Sequence, residues 1–338
     1  MDNATVNKPE KVNGAQLVKN ILIKYNAPLI FLILVITSSI ISPHFLTVRN
    51  IFNVLLQQVP YLLISMGVML TIMTAGIDLS VAAIAGSGGV ISAIIITNFG
   101  QTSVGWLFVA IICAAVLGCA IGAINGMLIS KMRMAPFIVT LAMMSAGQGL
   151  AFLMTGGSQI QLKSDIAAAN ALTWFAAVRD PIGVPLAVYF VALVIIIFWF
   201  IMRFTSFGRL VLAVGSNEAA VRLAGINVVK YKALVYTISG GLASLAGVFI
   251  AGRTALGAPS ISRENDYALT AVAACVIGGV ALDGGKGTVA FTVIGVLILA
   301  LITNIMNLLS IAPYPQLIVK GAIIVLAIFL SRLGQEND

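Results

Sequence analysis

Residues 104–130 read VGWLFVAIICAAVLGCAIGAINGMLIS, a run of 27 residues without one charged side chain. A helix of about 20 apolar residues spans the hydrocarbon core of a bilayer, and this run is long enough to do so. Within it, Gly118, Gly122 and Gly126 recur at four-residue spacing, which places them on one helix face. Small residues in this pattern let two helix backbones approach closely. The stretch therefore predicts a transmembrane helix that packs tightly against another helix.

The remainder of the chain is similarly apolar. Of its 338 residues, 60% are hydrophobic and 9% are charged, and the mean hydropathy is +1.09. A soluble domain carries about 25% charged residues, so too few polar side chains are present to cover a surface that faces water. The composition excludes a soluble enzyme, a nucleic-acid-binding module and a disordered chain, and it predicts an all-α polytopic membrane protein.

Ten apolar runs predict about ten transmembrane helices, some of them short or broken by Gly and Pro. The runs are 22–42, 51–73, 79–98, 104–130, 136–154, 185–202, 232–252, 267–282, 288–309 and 315–331. With the N-terminus inside, 13 of the 19 Lys and Arg residues lie in inner segments, five in outer segments and one within the last span. Basic residues are retained on the cytoplasmic side of a membrane, so we expect both termini in the cytoplasm.

This topology divides the chain into a transmembrane domain and its connections. The domain covers 27–331, between cytoplasmic tails at 1–26 and 332–338. Within the domain, 155–184 is predicted to form an outer, periplasmic loop, and 203–231 the longest inner connection. No other connection is long enough to form a soluble domain.

A weak internal similarity predicts inverted repeats. The pattern Asn-x-Met followed by Pro runs from Asn125 to Pro136 and again from Asn304 to Pro315, at one constant offset. The first copy straddles an inner loop and the second an outer loop. Many transporters are built from repeats of opposite topology related in this way.

Ionisable residues are scarce at the centres of the predicted spans. Asp78, Glu264, Asp266 and Asp283 fall at span ends, and we expect Lys320 to extend its ammonium group to the outer interface. Carriers driven by protons or sodium usually place ionisable groups at mid-membrane, so this pattern argues against them. Asp78 is expected to organise a turn through backbone hydrogen bonds.

The polar groups within the spans are mostly neutral amides and hydroxyls. Such groups suit an uncharged polyhydroxylated solute, because their hydrogen bonds are weak enough to permit release; the alternative for each is a hydrogen bond between helices. The candidates for a translocation path are Asn53, Gln57, Thr140, Gln148, Asn304 and Asn307.

Catalytic and cofactor motifs are not evident. His44 is the only histidine and the three cysteines are isolated, so we expect neither a metal site nor a Cys–His catalytic pair. The Gly-rich stretch 278–287 lacks the first glycine and the Ser or Thr of a phosphate-binding loop. It is predicted to form a tight inner turn, and no cofactor is expected.

The predicted inner connection contains a second informative stretch. Residues 215–227 read GSNEAAVRLAGIN. Asn217 is suited to cap a short helix in which Glu218 and Arg222 pair at i, i+4, and Gly225 is suited to end it. Such a helix offers a docking surface; a solvated connector is the alternative interpretation.

These residues resemble the inner-loop signature of the membrane permease subunits of bacterial ABC sugar importers, the ribose/xylose/galactose class. The resemblance continues at 74–80 (TAGIDLS), within 273–287 and at 314–321 (YPQLIVKG), and covers roughly 27–331. Ala75 stands where many relatives have Gly, and this difference is not expected to disrupt the motif.

The resemblance implies a transport subunit, not an enzyme, in the bacterial inner membrane, with a monosaccharide (a ribose-like pentose or a hexose) as its substrate. It implies three partners besides membrane lipid: a cytoplasmic ABC ATPase subunit, a periplasmic or extracellular sugar-binding protein and a second permease subunit, as a homodimer. The residues implied to contact the ATPase are Asn217, Glu218, Ala219, Ala220, Arg222 and Gly225. Neither the sugar nor the identity of the second permease follows from the sequence.

Two other functions are weighed against this one. A sugar carrier driven by an ion gradient would need no ATPase, but it lacks the expected mid-membrane carboxylates. A membrane-embedded enzyme acting on lipid-linked sugars is disfavoured because no set of acid, base or metal-binding residues is evident in the sequence.

Overall fold

The computed structural model describes residues 26–260 and 266–335. Most of the predicted N-terminal tail, Glu264 and the end of the C-terminal tail lie outside this part. In chain order, the helices and strands of the described residues are α1 (Asn26–Ile41), α2 (Val48–Met73), α3 (Val81–Phe99), α4 (Gly105–Ser130), α5 (Pro136–Thr155), β1 (Ile160–Gln161), α6 (Ala167–Ala177), α7 (Leu186–Phe204), α8 (Ser206–Ser216), α9 (Glu218–Leu223), α10 (Val228–Thr254), β2 (Leu256–Gly257), α11 (Tyr267–Ile277), α12 (Val289–Leu308) and α13 (Pro313–Gln335). The two short strands pair antiparallel, with Ile160 opposite Gly257.

Seven helices of the described part are long and apolar enough to cross a membrane, namely α2, α3, α4, α5, α7, α10 and α12. The three other predicted runs fall on α1, α11 and α13. Of these, α1 and α11 have only 16 and 11 residues, fewer than the roughly 20 that a span needs. A mostly helical fold with several membrane-spanning helices is thus confirmed, whereas the count of about ten and the inverted repeats are not.

The long helices run between two ends of one bundle. One end carries β1, β2 and α6 and is called the β end; the other carries α8 and α9 and is called the α9 end. Helix α2 reaches the α9 end at Met73, whose carbonyl oxygen accepts a hydrogen bond from Gly285 N–H. Helix α10 begins at the α9 end and finishes at Thr254, next to β2.

Helices α2, α3 and α10 form the centre of the bundle. Helix α2 is buried without interruption from Leu62 to Met73, and α10 is buried along most of its second half. A helix that is apolar on all sides is enclosed by other helices or by lipid. Helix α7, by contrast, fully buries only Ala187 and Val191. It lies at the periphery, with one side packed against the core and the other exposed.

The three glycines of α4 pack against α10, as their spacing predicts. A Cβ atom at Gly118 would collide with the Gly240 carbonyl, one at Gly122 with the Tyr236 carbonyl, and one at Gly126 would lie 2.6 Å from the Ala233 Cα. The two backbones are therefore in direct contact, which only a residue without a side chain permits.

Gly122→Ala is expected to destabilise the protein by about 1–3 kcal/mol, because the added methyl group forces α4 away from α10. Gly149→Ala is the matched control, since nothing lies within 4 Å of its added Cβ. Thermal unfolding in detergent should show a lower midpoint for Gly122→Ala only. Equal midpoints for the two variants would contradict the direct backbone contact.

Candidate coupling and translocation sites

The segment between α7 and α10 forms two short helices with defined caps. The Thr205 hydroxyl accepts a hydrogen bond from Gly208 N–H at the start of α8. Asn217 Oδ1 accepts one from Ala220 N–H at 2.9 Å and caps α9, as the sequence predicts. Gly225 follows α9 with φ +78°, a left-handed conformation that favours glycine.

Glu218 forms two ion pairs, one with Arg222 within α9 and one with Lys232, which joins α9 to α10. Its Oε1 accepts hydrogen bonds from Arg222 Nε at 3.1 Å and Nη2 at 2.5 Å, and its Oε2 accepts one from Lys232 Nζ at 2.6 Å. Partial burial opposes ionisation of the carboxyl, but the hydrogen bonds from Lys232 and Arg222 outweigh it and lower the pKa of Glu218 below its usual range. The stabilisation from these pairs is present above the ordinary Glu pKa of about 4.3 and is lost as the pH falls through the lowered value.

The opposite side of α9 is apolar and exposed. Val221 points inward against Val214 and Val228, while Ala219 and Ala220 are exposed and Leu223 is 89% exposed. Together these three side chains give α9 a small exposed apolar face.

A cavity of about 570 Å³ lies beside α9. Its lining consists of Ala75, Ile129, Ser130, Arg133, Met134, Ala135, Pro136, Glu218, Ala219, Arg222 and Lys232. The predicted coupling residues Glu218, Ala219 and Arg222 thus border a groove against α4 and α5, while Asn217 and Gly225 set the two ends of the helix.

The end of α8 is in tight contact with the end of α2. A Cβ atom at Gly215 would collide with the Met73 carbonyl and lie 2.6 Å from Gly285 N. Gly285 N–H donates to that same Met73 carbonyl at 3.0 Å. The predicted turn at 278–287 is confirmed, with Ala281 N–H bonded to the Lys286 carbonyl at 3.1 Å. We call the contact of Gly215, Met73 and Gly285 the glycine clamp.

A polar cavity of about 190 Å³ opens toward the β end, where the short helix α11 leaves space between α2, α10, α12 and α13. Its lining consists of Gln57, Gln58, Tyr61, Arg253, Tyr267, Thr270, Leu299, Ala300, Thr303 and Lys320. A neighbouring cavity of about 300 Å³ shares Arg253 and Tyr267 with it and is bordered by β2. We call the two together the polar cavity.

The aromatic and basic side chains of this cavity suit a polyhydroxylated solute. The rings of Tyr61 and Tyr267 lie with centroids 4.7 Å apart, and Tyr267 is only 6% exposed. Arg253 and Lys320 form no ion pair with any described residue, so their N–H groups are available as donors. Amide, hydroxyl and guanidinium groups together offer both donors and acceptors.

The six predicted path residues occupy different places. Gln57 lines the polar cavity. Gln148 lies outside that lining, and its Nε2 is buried without a described partner. The other four make contacts within the bundle: Asn53 accepts from Arg179 Nη2 at 2.7 Å, Thr140 donates to the Pro136 carbonyl at 2.9 Å, Asn304 pairs with Asn50 at 2.9 and 3.0 Å, and Asn307 accepts from Gln316 Nε2 at 2.9 Å.

Most of the cavity lining is not predicted by the sequence pattern. Lys320, expected to extend to the membrane interface, is half-buried and lines the cavity. Its position four residues after Gln316, itself buried against Asn307, was the available signal, because residues four apart share a helix face. For Arg253 and Tyr267, at the ends of their helices, no local pattern indicated a cavity.

Comparison with known proteins assigns the chain to a family. The family model described as branched-chain amino acid transport system / permease component matches residues 50–328. The ribose import permease protein RbsC of Escherichia coli (strain K12) is 38% identical over 93% of this chain and 95% of its own length. The L-arabinose transport system permease protein AraH of the same strain is 33% identical over 93% and 92%. The L-arabinose ABC transporter permease protein AraH of Azospirillum brasilense is 34% identical over 91% and 87%.

No solved structure matches the chain significantly. The family match covers all seven candidate spans except two residues at the start of α2, and the relatives cover nearly their whole lengths. The chain therefore belongs to the family of membrane permease components of transport systems that these relatives represent, and it is a transport subunit.

Proposed function

We propose that this chain is the permease subunit of an ATP-driven importer that carries a monosaccharide, a ribose-like pentose or a hexose, across the bacterial inner membrane. The observation that carries the proposal is the 38% identity to a ribose import permease over 93% of the chain. The polar cavity, with its adjacent tyrosines and with basic groups that form no ion pair with a described residue, supplies a compatible binding surface for sugar hydroxyls.

The proposed partners are a cytoplasmic ATPase, an outer sugar-binding protein and a second permease copy. The exposed apolar face of α9, from Ala219 to Leu223, is the proposed contact with the ATPase. The ion pair of Glu218 with Lys232 fastens this helix to α10, so a displacement of α9 would be transmitted to the bundle. A homodimer fits the two nucleotide sites that such an ATPase would supply.

We place the α9 end in the cytoplasm, both termini on that side and about ten crossings between them. Helices α1 to α5, α7 and α10 to α13 alternate in direction between the two ends. An even number of crossings returns the chain to its starting side. The excess of basic residues in segments at the α9 end supports the same orientation.

The glycine clamp is the proposed link that transmits a displacement at the ATPase contact to the polar cavity. Helix α8 holds the end of α2 at Met73, and α2 carries Gln57, Gln58 and Tyr61 in the polar cavity. Tyr61 lies 12 residues before Met73, about 18 Å along a helix. A shift of α9 and α8 on nucleotide binding would therefore move one wall of the cavity.

The proposal is tested by measuring radiolabelled ribose, arabinose and galactose uptake into right-side-out reconstituted vesicles that hold the complete complex and enclose ATP. ATP on the ATPase side should drive uptake, and an uncoupler should not reduce it. Uptake that an uncoupler abolishes would favour the ion-driven carrier, which the family assignment does not favour.

Gln57→Ala is expected to raise the KM for uptake a few-fold, because Gln57 lines the polar cavity. Asn304→Ala is expected to leave KM unchanged and to lower the amount of folded protein, because it breaks the mutual amide pair with Asn50. Initial uptake rates normalised to folded transporter separate the two effects. A larger change in KM for Asn304→Ala than for Gln57→Ala would show that the sugar passes near Asn304 and not through the polar cavity.

A further inference from the structure

A second buried polar site lies in the connection between the end of α2 and the start of α3. Residues 74–80 are not helical, and the Asp78 carboxylate within them has no exposed surface. Its Oδ1 accepts hydrogen bonds from the Ser80 N–H at 3.1 Å and the Ser80 hydroxyl at 2.5 Å, and its Oδ2 accepts one from the Ser239 hydroxyl at 2.9 Å. The bond from Ser80 N–H bears out the expectation that Asp78 organises this turn.

No basic side chain neutralises this carboxylate within the part of the chain that the structure describes. The two ion pairs found there both belong to Glu218 at the α9 end. A buried charge without a partner is costly, and an ionisable residue enclosed by transmembrane helices is by default a candidate functional site. Three hydrogen bonds reduce the cost but supply no positive charge.

Two oxygen atoms near the carboxylate are also buried and lack a described partner, Asn125 Oδ1 and Tyr236 Oη. Because the Ser80 hydroxyl donates its one proton to Asp78, it accepts from Asn125 Nδ2, at 2.8 Å, and the amide oxygen is left unpaired. Tyr236 lies within electrostatic range of Asp78, and a Cβ atom at Gly76 would collide with its hydroxyl.

We propose that these five residues, Asp78, Ser80, Asn125, Tyr236 and Ser239, bind one sodium ion through the Asp78 carboxylate, Asn125 Oδ1 and Tyr236 Oη. They are called the Asp78 cluster. Hard cations take oxygen ligands, and the three atoms that lack a partner or a counter-charge are all oxygens. Unwound backbone and helix C-terminal ends within membranes coordinate such ions, and α2 ends at this break.

The charge balance favours a monovalent ion over a divalent one. Asp78 is the only carboxylate of the cluster, and the described residues contain no group of three acidic, His or Cys side chains that could hold a metal. One sodium ion would neutralise one carboxylate and fix α2 and α3 to α4 and α10. The inference goes beyond the proposed function, and its test measures binding and not transport.

The test is the thermal unfolding midpoint of the purified full-length protein in detergent, in NaCl, KCl or choline chloride of equal ionic strength. Sodium should raise the midpoint in a saturable manner, because a ligand that binds only the folded state stabilises it. Asp78→Asn should abolish this sodium-dependent rise.

Tyr236→Phe decides the question if Asp78→Asn does not fold. If Tyr236 is a sodium ligand, removal of its hydroxyl should raise the sodium concentration at half-saturation at least tenfold. If the hydroxyl binds no ion, the dependence of the midpoint on sodium should stay unchanged. Ser65→Ala is the matched control, since Ser65 Oγ is likewise buried and without a described partner but lies outside the cluster. A wild-type midpoint that sodium does not change, or that changes equally in Asp78→Asn, would overturn the proposal.

Discussion

Glu218→Arg is expected to reduce ATP-driven sugar uptake to background while the protein still inserts into the membrane. The wild-type carboxylate receives hydrogen bonds from both Arg222 and Lys232, so the substitution would place three positive charges together. Like charges at such spacing repel, and α9 would lose its attachment to α10. The measurement is uptake by vesicles that contain equal amounts of folded variant and wild-type permease.

Two variants control this experiment. Asp165→Arg makes the same change in charge at an exposed residue near the β end and should leave the association with the ATPase intact. The double variant Glu218→Arg with Lys232→Glu restores an opposite pair between α9 and α10 and should recover part of the uptake. Wild-type transport by a well-folded Glu218→Arg protein would show that α9 is a connector without a coupling role.

Arg253→Met is expected to lower uptake about tenfold or more while ATPase association stays normal. Arg253 borders both parts of the polar cavity and forms no ion pair with a described residue. A hydrogen bond to a charged group contributes about 1.5–3 kcal/mol. Loss of one such bond from the guanidinium group to the solute would therefore lower uptake about tenfold or more. Uptake as a function of sugar concentration measures the effect.

Arg49→Met is the matched control, because Arg49 is an exposed basic residue in the first turn of α2 and lies outside the cavity lining. Its uptake should equal that of the wild type. Equal losses for Arg49→Met and Arg253→Met would point to a general effect of basic charge at the β end, and the polar cavity would no longer be the candidate path.

The helices and the α9 segment were predictable from local sequence. Apolar runs locate the spans because a bilayer demands about 20 apolar residues per crossing. The caps of α9 were equally visible, since Asn217 and Gly225 act through their own backbone and nearest neighbours. The glycine face of α4 indicated close packing because four-residue spacing fixes which side chains share a face.

The polar cavity was not predictable in the same way. Its lining brings Gln57, Arg253, Tyr267 and Lys320 together from four helices, and hydropathy does not specify how each helix is rotated about its axis. Asn304 looked equivalent to Gln57 in the sequence, yet it faces Asn50 and not the cavity.

The most direct test of the proposed function is to purify the tagged chain from its own cell in mild detergent and identify what accompanies it by quantitative mass spectrometry. We expect an ATPase subunit with nucleotide-binding motifs in stoichiometric amount, retained by Asp165→Arg and lost from Glu218→Arg. A homogeneous chain without an ATPase, which still moves sugar into vesicles in the absence of ATP, would contradict the proposal.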